Sequence, residues 1–308
     1  MLYLKSLLAI LVLLILVDCS SPKPVHIEEG FLQINGSEVY YKTMGEGDPL
    51  VIVHGGPVLD HSYLLPHLEA LAQNYKLVFY DQRAAGQSSI EIDPETMTLD
   101  GFIEDIEQLR QQLRLGKINL LGHSWGGMLA MNYAIKYDQN MDHLILSNAS
   151  APSVADAQQE GLLVTQKMTS RDQDRLNNLT SSGLLRTEDP SEAIKEMMMI
   201  SYRAHMYDTS NLDRLKLSIP KDFMLRSQTY STLNPDLASY DLYDQLKQVS
   251  TPTLVVFGES EPAVARHANR MAGVFQNGEL FVVKEAGHFP FVEQNKVYLD
   301  KLISFLSK

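Results

Sequence analysis

Only one of the 308 residues is a cysteine, Cys19, and it stands at the end of an apolar leader stretch rather than in the body of the chain. That body therefore has no disulfide, no cysteine nucleophile and no thiolate metal site. Positive charge is scarce too. The chain has 26 Lys and Arg against 38 Asp and Glu, a formal net charge of −12, and shows no Lys/Arg run. Such a surface repels phosphate backbones, so no nucleic-acid partner is expected. Long apolar runs are missing as well. Ser6–Val17 spans 12 residues, short of the roughly 20 that a membrane-crossing helix needs. Neither H-E-x-x-H nor G-x-G-x-x-G occurs, so no metal or organic cofactor is implied. Glycine (18) and proline (13) are too few for a collagen-like or low-complexity chain. With 44% hydrophobic and 21% charged residues, the composition is an ordinary globular balance.

What is present is an alternation of buried strands and amphipathic helices. Phe31–Ile34 and Glu38–Lys42 flank Asn35-Gly36, a hairpin signal. Pro49–Val53, Lys76–Tyr80, Ile118–Leu121, His143–Ser147, Thr253–Phe257 and Leu280–Val283 read as further strands. Helical spacing runs over His61–Tyr75. It recurs from Thr98 (Phe102, Ile103, Ile106, Leu109, Leu113), over Met128–Tyr137 and over Val297–Leu306. Continuous apolar strands between helices predict an α/β fold, a parallel sheet covered on both faces. The alternation stops across residues 151–244, a polar, helical, locally Met-rich stretch. It reads as a helical cap inserted into a core made of residues 31–150 and 245–308. The Met197-Met198-Met199 run reads as packing between helices.

The sharpest local feature is Gly122-His123-Ser124-Trp125-Gly126, a G-x-S-x-G between a predicted strand and a predicted helix. A nucleophile at so tight a turn takes a strained backbone, and its neighbours two residues away must lack side chains. Ser124 is therefore the candidate nucleophile. The chain order of this arrangement is Ser, then Asp or Glu, then His. Of the nine histidines, His288 in Glu285-Ala286-Gly287-His288-Phe289-Pro290 lies beyond the last strand in a turn, and is the candidate base. His267 reads as a surface residue. The acid belongs just past Thr253–Phe257, in Gly258-Glu259-Ser260-Glu261-Pro262. Glu261 is the assignment and Glu259 its competitor, otherwise a solvated loop charge. The oxyanion donors are the N–H of Trp125, after the nucleophile, and the N–H of Gly56, after the strand ending at Val53. Pro57 has no N–H to give.

His54-Gly55-Gly56-Pro57, Asp81-Gln82-Arg83, Gly122-His123-Ser124-Trp125-Gly126-Gly127 and Gly287-His288 together resemble the proline iminopeptidase-like α/β-hydrolases, from about Phe31 to the C-terminus. The resemblance implies an α/β-hydrolase fold, with a mostly parallel central sheet, helices on both faces and a helical cap insertion. It also implies a serine hydrolase that releases an N-terminal Pro or small apolar residue from short peptides through an acyl-enzyme. Two loop positions depart from the family pattern: Val58 and Ala84 stand where the family has glycine. The family reads the substrate ammonium with cap and loop glutamates. Here Pro262 follows the acid and the late cap reads Arg226–Ser231, so neither place offers a carboxylate. Glu259 and Asp241 are the substitutes in view. The alternative reading is a carboxylesterase or amidase on small acyl substrates with the same triad. A ligand-binding protein on a degenerate hydrolase fold is disfavoured by the intact Ser124, Glu261 and His288. Dehalogenase and epoxide-hydrolase chemistry need Asp at the elbow. Asp81 and Arg83 read as structural.

At the N-terminus, Lys5 and the apolar run fit an export signal. Leu16-Val17-Asp18-Cys19 resembles the lipobox of bacterial lipoproteins, with Asp18 in place of a small residue. Residues 1–19 are thus expected to be a signal or anchor and residues 20–30 a tether. The expected location is exported, either membrane-attached through the N-terminus or periplasmic/extracellular.

Overall fold

The computed structural model describes residues 25–308. The signal segment and Cys19 lie outside the described residues. Eight strands form one sheet: β1 (Ile27–Ile34), β2 (Ser37–Met44), β3 (Asp48–Val53), β4 (Tyr75–Tyr80), β5 (Ile118–His123), β6 (Met141–Ser147), β7 (Thr253–Gly258) and β8 (Gly278–Val283). Their order is β1-β2-β4-β3-β5-β6-β7-β8. β1 and β2 are antiparallel, β2 is antiparallel to β4, and all later neighbours are parallel. The hairpin turn at Asn35-Gly36 has positive φ at both residues (49° and 76°), the backbone that a two-residue turn between twisted strands requires. β1 pairs with β2 from Ile27 onward, so Ile27–Gly30, expected as tether, belong to the sheet.

The strands are apolar on both faces because both faces are covered. Val51, Val53, Leu120, Leu144 and Leu146 enter one core layer, and Leu50, Ile52, Leu121, Ile145 and Leu254 the other. The helix Leu99–Gln112 starts where Thr98 Oγ1 accepts the Gly101 N–H at 3.1 Å, and it buries Phe102, Ile103, Ile106 and Leu109. The C-terminal helix Asn295–Leu306 buries Tyr298, Leu302, Phe305 and Leu306. The helix expected over His61–Tyr75 is instead three short turns, His61–Tyr63, Leu65–Leu68 and Glu69–Gln73. Pro66 has no N–H for a continuous helix and its ring disfavours helical backbone at the residue before it.

Between β6 and β7 the chain forms the helices Val154–Lys167, Ser170–Ser181, Ser191–Arg203, Phe223–Tyr230 and Asn234–Ala238. Its two ends meet at a Ser153–Asp241 bridge, with Val154 N–H on Tyr240 O and Leu242 N–H on Pro152 O. Met198 and Met199 pack against the core, as the packing reading of the Met run expects.

The Asp81-Gln82-Arg83 segment after β4 ties the loops together. Arg83 is fully buried, with Nε 2.7 Å from Asp105 Oδ2 and Nη2 2.5 Å from Asp105 Oδ1. Thr96 O and Gly101 O take further guanidinium protons. Burial raises the Asp105 carboxyl, opposed by the guanidinium. Removing one partner of such a pair leaves a buried cation unpaired. Asp105→Ala is accordingly expected to lower stability by about 3–5 kcal/mol in urea unfolding. A change below about 1 kcal/mol, within the range of exposed pairs, would contradict this account.

Candidate active site

Each predicted site residue lies just past the C-terminal end of a parallel strand, where open α/β sheets place their ligands. Gly55 and Gly56 follow β3, Ser124 follows β5, Glu261 follows β7 and His288 follows β8. Gly56, Ser124, Glu261 and His288 all line one cavity of about 370 Å³, the size of a small-molecule site.

Ser124 has φ 56° and ψ −120° and immediately precedes the helix Trp125–Tyr137. That is the strained elbow expected from the motif. A Cβ on Gly122 would collide with Gly126 O, and one on Gly126 with Val53 O, so the two glycines are steric necessities.

The amides around the elbow differ in what they already hold. The Gly55 N–H is taken by Tyr63 Oη at 2.7 Å. Neither Gly56 N–H nor Trp125 N–H has a partner among the described residues, and Trp125 N–H belongs to a helix N-terminus, where amides have no intrahelical acceptor. Tyr63 Oη sits 2.7 Å from His123 Nδ1, and His123 Nε2 sits 3.0 Å from His288 O. A carbonyl oxygen can only accept, so His123 carries its proton on Nε2, and in the neutral ring Nδ1 accepts from the Tyr63 hydroxyl. Burial, and then the charge of His288, push the His123 imidazole well below its usual range, which fits a neutral link. Gln82 braces the same loop: its N–H meets His54 Nε2 at 3.0 Å, its side chain donates to His54 O at 2.6 Å, and its Oε1 accepts the Trp125 indole N–H at 2.9 Å. Asp81 holds His61 at 2.7 Å. The structural role read for Asp81 and Arg83 agrees with these contacts.

Val58 and Ala84, which replace family glycines, keep left-handed backbones with φ 70° and 56°. The loops retain the glycine-type conformation and carry its strain.

Glu261 is buried, and its Oε2 lies 3.3 Å from His288 Nδ1. Burial alone would raise this carboxyl. The charge of His288, its hydrogen bond and the nearby His205 outweigh it and hold the group far below the ordinary carboxylate range. Glu259 is exposed and accepts the Glu285 N–H at 3.1 Å; it does not line the cavity. Asp241 caps the Tyr243 N–H at 3.0 Å and is also absent from the lining.

Two lining residues from the insertion carry no motif and were not read from the sequence. Glu160 sits on the helix Val154–Lys167 and lines the cavity with Ser124. Burial, then the nearby Glu261 and Asp156 charges, push its carboxyl up to about 8. His205 follows the helix Ser191–Arg203, and its ring centroid lies 5.0 Å from that of His288. His267, expected at the surface, is buried at 2% exposure, with Nε2 3.3 Å from Glu160 Oε1. His205, Glu261 and His288 place one ligand atom each within 4.8 Å of one another. Glu261 and His288 are already paired to each other, so the cluster is a carboxylate between two imidazoles rather than a metal cage.

The comparisons with known proteins agree with this fold. The model of a family described as alpha/beta hydrolase fold matches residues 48–294. A proline iminopeptidase of Clostridioides difficile (strain 630) is 29% identical over 291 residues, covering 91% of this chain and 98% of its own. The crystal structure of a proline iminopeptidase of Mycobacterium smegmatis superposes with a TM-score of 0.68 at 19% identity, covering 91% of this chain and 98% of that one. An esterase from Exiguobacterium antarcticum gives 0.62 at 23% identity, covering 90% and 99%. With a family match over most of its length, and a strand-to-helix elbow at the carboxyl edge of a mostly parallel sheet, the chain belongs to the alpha/beta hydrolase fold family and is a hydrolase.

Proposed function

We propose that the chain is a serine aminopeptidase that releases an N-terminal Pro or small apolar residue from short peptides. Ser124 Oγ attacks the scissile carbonyl while His288 takes its proton. Glu261 fixes the imidazole tautomer and stabilises the imidazolium. The Gly56 and Trp125 N–H groups receive the developing oxyanion, each worth on the order of 3 kcal/mol in the transition state. His288 then protonates the leaving amine, and water repeats the sequence to free the acyl group. An N-terminal anchor or export signal would put this activity outside the cytoplasm, on peptides small enough for the cavity.

The observation that carries the peptidase reading is Glu160. A carboxyl pushed up to about 8 by burial and two neighbouring carboxylates is a site that a cation would relieve, and a substrate ammonium beside the scissile bond supplies one. Below pH 8 Glu160 holds a proton, and an arriving ammonium favours the ionised form, so binding expels that proton. The KM for proline p-nitroanilide is therefore expected to fall as pH rises from about 6 towards 8, until the amine itself deprotonates. Glu160→Gln should raise that KM about tenfold or more, the loss of a charged contact, and leave p-nitrophenyl acetate hydrolysis unchanged. A KM that is flat with pH and insensitive to Glu160→Gln sinks the ammonium assignment.

A second reading, a carboxylesterase on small acyl substrates, is favoured by the same carboxyl: protonated at neutral pH, it adds no charge to the cavity beyond that of Glu261. Running proline p-nitroanilide beside its N-acetylated form and p-nitrophenyl acetate separates the two. Cleavage of the free amine alone supports the peptidase. Ester cleavage without proline anilide cleavage supports the esterase.

A further inference from the structure

We propose that His205 is a positioning residue for the catalytic carboxylate: its Nδ1–H holds the second oxygen of Glu261, so that the helical insertion as well as the sheet orients His288. The inference rests on the Ser124–His288–Glu261 reading above.

Glu261 uses only one oxygen on His288. The other, Oε1, is buried without a hydrogen-bond partner among the described residues, and so is His205 Nδ1. These two atoms face each other at 3.6 Å, just beyond hydrogen-bond length. A buried carboxylate oxygen left unpaired is costly, and catalytic hydrogen bonds often tighten only when substrate is bound. A glutamate has one more side-chain torsion than an aspartate, so a single bond to His288 leaves its carboxylate free to swing. A second donor on the other oxygen removes that freedom.

The backbone around His205 is fastened to the same loop. His288 N–H donates to His205 O at 2.7 Å. A Cβ on Gly287 would collide with that carbonyl, so the glycine admits the insertion to the base. Glu293 clamps the two segments: Oε1 accepts the Tyr207 and Asp208 N–H groups at 3.0 and 2.8 Å, and Oε2 accepts the Gly287 N–H at 2.6 Å. His205 is thus held against His288 by main-chain contacts that do not depend on its own ring.

Two near-isosteric replacements separate the donor from the shape. His205→Asn keeps an N–H near the Nδ1 position, and His205→Leu has none. Both are measured in the wild-type and Glu261→Ala backgrounds, on whichever of proline p-nitroanilide and p-nitrophenyl acetate the wild type cleaves. His205→Leu should lower kcat about tenfold or more, the fold-change of one lost hydrogen bond to a charged group, with KM within about twofold. His205→Asn should recover most of it. In the Glu261→Ala background, which leaves the donor no oxygen to hold, the two variants should turn over alike, because partners in one interaction are non-additive. His205→Ala serves as the donor-free arm if the leucine variant does not fold. Equal kcat for Asn and Leu in the wild-type background, a loss confined to KM, or a Leu-to-Asn gap that persists in the Glu261→Ala background overturns the proposal. A Glu261→Gln enzyme with unchanged kcat would instead overturn the triad reading.

Discussion

Ser124→Ala is expected to remove turnover by on the order of a million-fold in kcat while leaving the protein folded. The loss should be total for practical purposes because the other hydroxyls lining the cavity, Tyr63, Ser150 and Tyr202, do not stand at the elbow. The chain's one cysteine lies outside the enzyme body, and the elbow admits no second nucleophile in the same place. The fold should survive because the alanine inherits the same backbone, φ 56° and ψ −120°, and the hydroxyl contributes little to packing. A companion variant tests the strain itself. Ser124→Gly should be equally inactive yet more stable than Ser124→Ala by about 1 kcal/mol, since glycine adopts positive φ without a Cβ penalty. Residual activity of Ser124→Ala near the wild-type level would mean that the reaction does not pass through Ser124. A glycine variant that melts below the alanine one would mean that the elbow is not strained.

Much of the fold is legible in the sequence because its strands are short apolar runs bounded by turn residues, and because the motif residues sit directly after them. Val53 leads into Gly55-Gly56, and His123 into Ser124. Position along the chain and position in the site coincide there, so local reading finds both. It fails where a side chain matters through a partner far away in sequence. Glu160 lies on an ordinary polar helix, and only the folded chain brings it into the cavity with Glu261 and beside His267. His205 ends a helix with no recognisable pattern and meets His288 through main chain and ring alike. The burial of His267 escapes for the same reason: its neighbours Phe257 and Glu160 come from a strand and from the insertion. A raised carboxyl pKa is a property of an assembled cavity, and no spacing rule announces it.

Glu261→Gln is expected to lower kcat by roughly 10³–10⁴-fold, and Glu259→Gln by no more than about twofold. The contrast follows from where the two carboxylates stand. Glu261 Oε2 is 3.3 Å from His288 Nδ1 in a buried setting. There a glutamine could offer its N–H to Nδ1 and so stabilise the wrong tautomer, and it could not balance the imidazolium that forms when Ser124 attacks. Glu259 is exposed, and its carboxylate only caps the Glu285 amide. The glutamine side-chain oxygen can accept that bond equally well. The pH behaviour should differ too. Glu261 is held far below the ordinary carboxylate range by the two imidazoles, against the opposing effect of burial. A depressed carboxylate contributes stability that is present above its unfolded value and is lost as pH falls towards the folded one. Removing that charge should therefore flatten the acid side of the stability curve, while Glu259→Gln leaves it alone. If Glu259→Gln proves the more damaging of the two, the acid of the triad moves to Glu259, and the buried carboxylate between His205 and His288 becomes a structural ion pair.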